Sequence, residues 1–181
     1  MTTEVTKQKQ VAMHTDFFDR TKLAIENGFY LEAIFREYAA IEGRLEVILG
    51  ILGAPCNKNA SPKERKDVDI SHRIHCLKRI YELRPAIGTT KLDNEFFANL
   101  KAWCTQRNII VHGFYKNELK YQERSAQNKK LAEDGLILAR MLYNEAKRLR
   151  RYQTSHSDID LLTVAKCFKS GCNLHQTKGG N

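Results

Sequence analysis

YLEAIFREYAAIEGRLEVILGIL, residues 30–52, is the stretch on which the fold class turns. Leu31, Ile34, Phe35, Tyr38, Ile41, Leu45, Ile48, Leu49 and Leu52 recur at three- and four-residue steps. That spacing draws one apolar stripe along an α-helix of about six turns. Ala39, Gly43 and Gly50 lie close together on another strip of the same helix. Small side chains there either let a second helix approach closely, offsetting the helix cost of glycine, or mark a kink.

Outward from this helix the pattern stays helical. Residues 13–27 carry Phe17, Phe18, Leu23, Ala24 and Ile25, and Asn27-Gly28 reads as a C-cap. Residues 53–69 hold two of the three prolines and a charge run, and read as a loop. A helix over Ile70 to Leu83 starts at Asp69 or Ser71, stops before Pro85, and turns Ile74, Leu77, Ile80 and Tyr81 inward. Asp93 or Asn94 caps the next, through Phe96, Phe97, Leu100 and Trp103 to about Val111. Residues 113–123 are polar and turn the chain. A last helix from Ser125 to Arg151 puts Leu131, Ile137, Leu138, Met141, Leu142 and Leu149 inward. No strand-like alternation or repeat interrupts the series. The expected fold is an all-α antiparallel bundle of four to five helices over residues 1–151. Residues 152–181 form a C-terminal extension, with one short helix over 161–168 and a fraying glycine-rich end.

Composition sets the outer limits. A chain of 181 residues is one full-sized domain, and 42% hydrophobic with 28% charged residues excludes wholesale disorder. No apolar run approaches the ~20 residues of a membrane span. The first twenty residues hold no apolar signal core, so a cytoplasmic location is expected, with the five cysteines as thiols. The net charge is +9 and uneven: residues 1–60 carry −1, residues 61–115 carry +4, and residues 116–151 carry +5. Such a bias suits a protein that meets a polyanion with one face, although solubility alone accounts for it equally.

Residues 103–116 read WCTQRNIIVHGFYK. Arg107 and His112 form a plausible minimum set for cleaving RNA without a metal. Histidine moves the proton of a ribose 2′-hydroxyl or of the leaving 5′-oxygen, and arginine grips the phosphate. Five residues span about 500° of helix, so the two lie about 140° apart, whereas Asn108 and His112 share a face. Either the helix breaks near Gly113, or two copies of the motif meet across a symmetric dimer. The blander alternative makes Ile109–Val111 core and leaves Arg107 and His112 as exposed flanks.

This motif resembles that of the HEPN (higher eukaryote and prokaryote nucleotide-binding) family, small helical bundles with an R-x(4–6)-H signature before the last long helix. Members often carry a polar residue directly after the arginine, as Asn108 does here. The likeness is specific over about ten residues and architectural over residues 13–151. It implies a homodimeric, metal-independent endoribonuclease without cofactor, commonly the toxin of a toxin–antitoxin pair or a phage-defence effector. Arg107, Asn108 and His112 would then be the catalytic residues, RNA the substrate, and an antitoxin protein a possible partner. One subgroup has a modifiable tyrosine two residues after the histidine; here that position is Phe114, and the tyrosine follows at Tyr115. The rival reading is a non-catalytic helical module binding a nucleotide, nucleic acid or partner protein.

Other groupings are weaker. His156, Cys167, Cys172 and His175 are zinc-type ligands, but their spacing fits no compact finger, and no metal is expected. His72, His75 and Cys76 lack a further ligand and read as surface and core. Lys147, Arg148, Arg150 and Arg151 form a basic cluster that complements a helix C-terminus or tracks RNA. Tyr115 and Lys116, adjacent to the motif, are RNA-binding candidates or simply a turn.

Overall fold

The computed structural model describes residues 16–53, 69–83, 87, 91–113 and 121–155. Of these, 91% are helical, in five segments and without a strand, so the fold is all-α as the apolar periodicity requires. The helices are α1 (16–26), α2 (Tyr30–Ile51), α3 (Ile70–Leu83), α4 (Asn94–Gly113) and α5 (Tyr121–Ser155). None is long and apolar enough to cross a membrane. The expected loop over 54–68, the candidates Tyr115 and Lys116, and the extension beyond Ser155 lie outside the described residues.

The helix ends follow local chemistry. Gly28, at φ 80°, closes α1: its N–H bonds Ile25 O while Phe29 N–H bonds Ala24 O at 2.8 Å. That paired pattern needs a left-handed residue, which glycine supplies without a Cβ penalty. Asp69 starts α3 by accepting the Ser71 N–H, and Asp93 starts α4 by accepting the Phe96 N–H at 2.9 Å. α5 begins at Tyr121 and ends at Ser155, four residues beyond each expected boundary, because neither flank contains a glycine or proline to stop it.

The chain divides into two compact units. The first comprises residues up to Ile41 and Ala98–Arg140. Its buried side chains include Ile34, Ile41, Leu100, Trp103, Ala132 and Leu138. The expected stripe over residues 30–52 is mostly inward, with Ile34, Ile41, Leu45, Ile48, Leu49 and Leu52 buried, but Phe35 stands 49% exposed and Glu37 is buried in its neighbourhood. A hydrophobicity pattern assigns faces by residue type, and here a carboxyl occupies the inward position. Ile137, expected inward, is also exposed. Ala132 and Ala139 replace Ile137 on the buried face of α5, where small side chains are overlooked by a search for bulky ones.

The expected close approach at Ala39, Gly43 and Gly50 does not occur. Ala39 is exposed, a Cβ added to Gly43 or Gly50 would meet nothing within 4 Å, and α2 continues through both glycines. The close approach is at Gly135 instead. A Cβ there would lie 2.7 Å from the Trp103 ring and press on the Glu37 carboxyl. The Trp103 ring is pinned, its Nε1–H donating to Leu131 O at 2.8 Å. Gly135→Ala is therefore expected to destabilise by about 1–3 kcal/mol through overpacking. This outweighs the ~1 kcal/mol by which alanine normally improves a helix interior. Thermal unfolding checks it, and a Tm equal to wild type would mean that the ring yields freely.

The second unit comprises Glu42–Phe97 and the chain from Met141. Leu45, Ile48, Leu77, Ile80, Leu142 and Leu149 are among its most buried side chains. Its polar centre is Glu145, 4% exposed and gripped by two Arg148 nitrogens at 2.8 and 2.9 Å. Tyr81 donates its hydroxyl to the same carboxylate, and Arg148 also donates to Ile87 O. Burial, then the Glu145 charge, pushes the Tyr81 phenol above its usual range. The Glu145 hydrogen bond chiefly raises Arg148. Arg148 is thus a structural anchor, and α5 runs on past Arg151, so the basic cluster does not occupy the last helical turn.

Candidate functional site

Phe96, Leu100 and Trp103 mark the inward side of α4, and Arg107 continues that line one turn later. A cation on the buried side needs a partner, and α2 provides two aromatic faces. The Arg107 guanidinium carbon sits 4.0 Å from the Tyr38 ring centroid and 5.5 Å from that of Phe35. Its Nη1 donates to Asn108 Oδ1 at 3.1 Å, while its buried Nε–H has no acceptor among the described residues. The aromatic faces therefore hold the guanidinium where a hydrogen-bonding network would otherwise do so.

Asn108 and His112 are both exposed and one turn apart on the outer face of α4. α4 is helical through Gly113, so it does not break between Arg107 and His112. No hydrogen bond among the described residues joins His112 to Arg107 or Asn108. The fold brings Arg107 and Asn108 together and leaves His112 apart. Ile109 is 58% exposed and Ile110 and Val111 are half-buried, so the aliphatic run is not core as the blander alternative required.

No family model, no curated protein and no solved structure matches this chain. Its function must be argued from its own residues.

Two features of this unit escaped the sequence reading. Phe35 and Tyr38 belong to the apolar stripe in sequence, and in the structure their rings lie under the Arg107 guanidinium; aromatic residues at i and i+3 carry no signal distinguishing the two. Between them in sequence lies Glu37, fully buried, with neither carboxyl oxygen hydrogen-bonded among the described residues. Burial pushes its carboxyl up from the ordinary 4.5 to about 9, so at neutral pH it is an uncharged acid.

The remaining candidates separate. His72 is exposed and Cys76 buried, their Nε2 and Sγ 3.3 Å apart. Among the described residues no three His, Cys, Asp or Glu side chains are placed to hold a metal ion. His156, Cys167, Cys172 and His175 lie outside them.

Proposed function

We propose that the chain is an endoribonuclease acting through Arg107, Asn108 and His112, as a homodimer. The observation that carries the reading is the clamped guanidinium: Arg107 is held on Tyr38 and Phe35 with Asn108 at its edge, pre-set to meet an anion. The 2′-hydroxyl attacks the adjacent phosphorus, the bond to the 5′-oxygen breaks, and a 2′,3′-cyclic phosphate and a 5′-hydroxyl result. One His112 removes the 2′-proton, the His112 of the second copy protonates the 5′-oxygen, and Arg107 neutralises the phosphorane. A continuous α4 keeps Arg107 and His112 on different sides, so pairing two motifs about a two-fold axis completes the site. Phe35 and Ile109, large and exposed beside the motif, favour that association by leaving water on dimerisation. A toxin or phage-defence role with an antitoxin protein follows from the resemblance of the motif.

The test is cleavage of several RNAs by purified protein in excess chelator. Wild-type activity absent from His112→Ala supports the reading; equal products from both remove it. Tyr38→Leu probes the clamp separately. It leaves the reacting groups intact and should cost about 1–2 kcal/mol, roughly 5- to 30-fold in kcat/KM, by freeing the guanidinium. Wild-type kinetics in that variant would show the platform to be irrelevant to Arg107.

A further inference from the structure

The second unit carries a concentration of positive charge that the proposed site does not use. On α5, Tyr143, Lys147, Arg150 and Arg151 fall at successive helical repeats and share one side over about 12 Å of rise. Lys147, Arg150 and Arg151 are exposed. α2 contributes another cation to this side: the Arg44 guanidinium lies over the Tyr143 ring, 5.1 Å from its centroid. Burial first, then the charge of Arg150, lowers the proton affinity of Arg44, with Tyr143 acting in the opposite direction. Arg44 and Arg150 are therefore close enough to repel.

Several helical cations elsewhere in this chain are neutralised locally. Arg20, Lys22, Lys78, Lys129 and Lys130 each pair with a carboxylate one turn away. Among the described residues Lys147 and Arg150 form no ion pair. Two of the acids near in sequence are already committed, Glu42 to Arg73 at 3.0 Å and Glu145 to Arg148, whereas Glu46, two residues from Arg44, is exposed. Like charges held on one side, Lys147 and Arg150 without an ion pair among the described residues, favour a ligand that brings negative charge at matching intervals.

We propose that Arg44, Lys147, Arg150 and Arg151, with Tyr143, form a binding surface for the phosphodiester backbone of a single RNA strand. A linear row of cations along a helix suits a linear polyanion, and the Arg44 guanidinium stacked on Tyr143 is held beside that row. A membrane surface fits less well, because basic membrane-binding helices set large apolar residues beside their cations. Among the described residues of this unit the one large exposed apolar side chain is Leu83, on α3. The choice of RNA over DNA rests on the proposed function; the backbone chemistry does not.

The experiment measures binding of a labelled single-stranded 20-nucleotide RNA by anisotropy across a salt series, using His112→Ala protein so that the probe survives. Adding Lys147→Gln and Arg150→Gln should raise Kd at least tenfold. It should also lower the slope of log affinity against log salt by about 1.4, since each single-strand phosphate contact contributes about 0.7. Lys129→Gln with Lys130→Gln removes the same charge from elsewhere and should leave both quantities within twofold. Equal losses in the two pairs, or no loss in the first, overturns the proposal. So does a Lys147/Arg150 effect on anionic vesicles with none on RNA. Cleavage by the wild type is scored apart, so a failed patch with intact cleavage, and binding without cleavage, are distinct results.

Discussion

His112→Ala is expected to lower RNA cleavage by at least ~10²–10⁴-fold, the usual contribution of one general acid–base group. That is about 3–5 kcal/mol of transition-state stabilisation. The residue is exposed at the end of α4 and its side chain makes no hydrogen bond among the described residues, so the loss reads chemistry and not core packing. Arg107→Lys is expected to rescue poorly. An ammonium lacks the planar fork that holds two phosphate oxygens, and it stacks less well on Tyr38. Mixing inactive Arg107→Ala and His112→Ala chains separates the possible geometries. If arginine of one copy and histidine of the other suffice, one intact site forms in the heterodimer and part of the activity returns. If both histidines are needed, mixing restores nothing. Full activity in either single variant removes the motif from the mechanism.

The second large effect concerns stability. Glu37 holds its proton more tightly when folded, with a pKa near 9 against an ordinary 4.5. The folded state thus binds more protons than the unfolded state between those limits. Its burden is absent below pH 4.5, grows by about 1.4 kcal/mol per pH unit as pH rises, and levels off above 9. At pH 7 it amounts to about 3 kcal/mol. Glu37→Gln keeps the shape and the unpaired polar atoms but cannot ionise. It should therefore be more stable than wild type by up to about 3 kcal/mol at pH 7, with the gain shrinking toward pH 5. Urea unfolding of both proteins between pH 5 and 8 measures this. Parallel pH dependence in the two would mean that the Glu37 carboxyl reaches water or a partner when ionised.

Much of the helical order was legible, and for a simple reason. The three- and four-residue spacing in Tyr30–Ile51 records which way a helix faces, and Asp69, Asp93 and Gly28 are residues whose own short-range hydrogen bonds or missing Cβ end or begin a helix. α3 was placed to the residue on those grounds. For the site, the sequence supplied Arg107, Asn108 and His112 as a motif and the angular separation of the first and last, since both follow from residue type and helical pitch.

Only tertiary structure decided what Arg107 rests on. Phe35 and Tyr38 belong to the apolar count of α2 whether they fill a core or stack under a cation, and the choice depends on which helix passes beside them. The same holds for Glu37, a charged residue on any hydrophobicity scale, which packing places at an inward position and so renders a neutral acid. Glycine behaves alike: Gly43 and Gly50 stand in open space, whereas Gly135 carries the close contact with Trp103. Chain-local chemistry determines helix and cap, and facing only where residue type and packing agree. Which face meets which neighbour is a property of distant residues brought together, and pattern along one segment does not contain it.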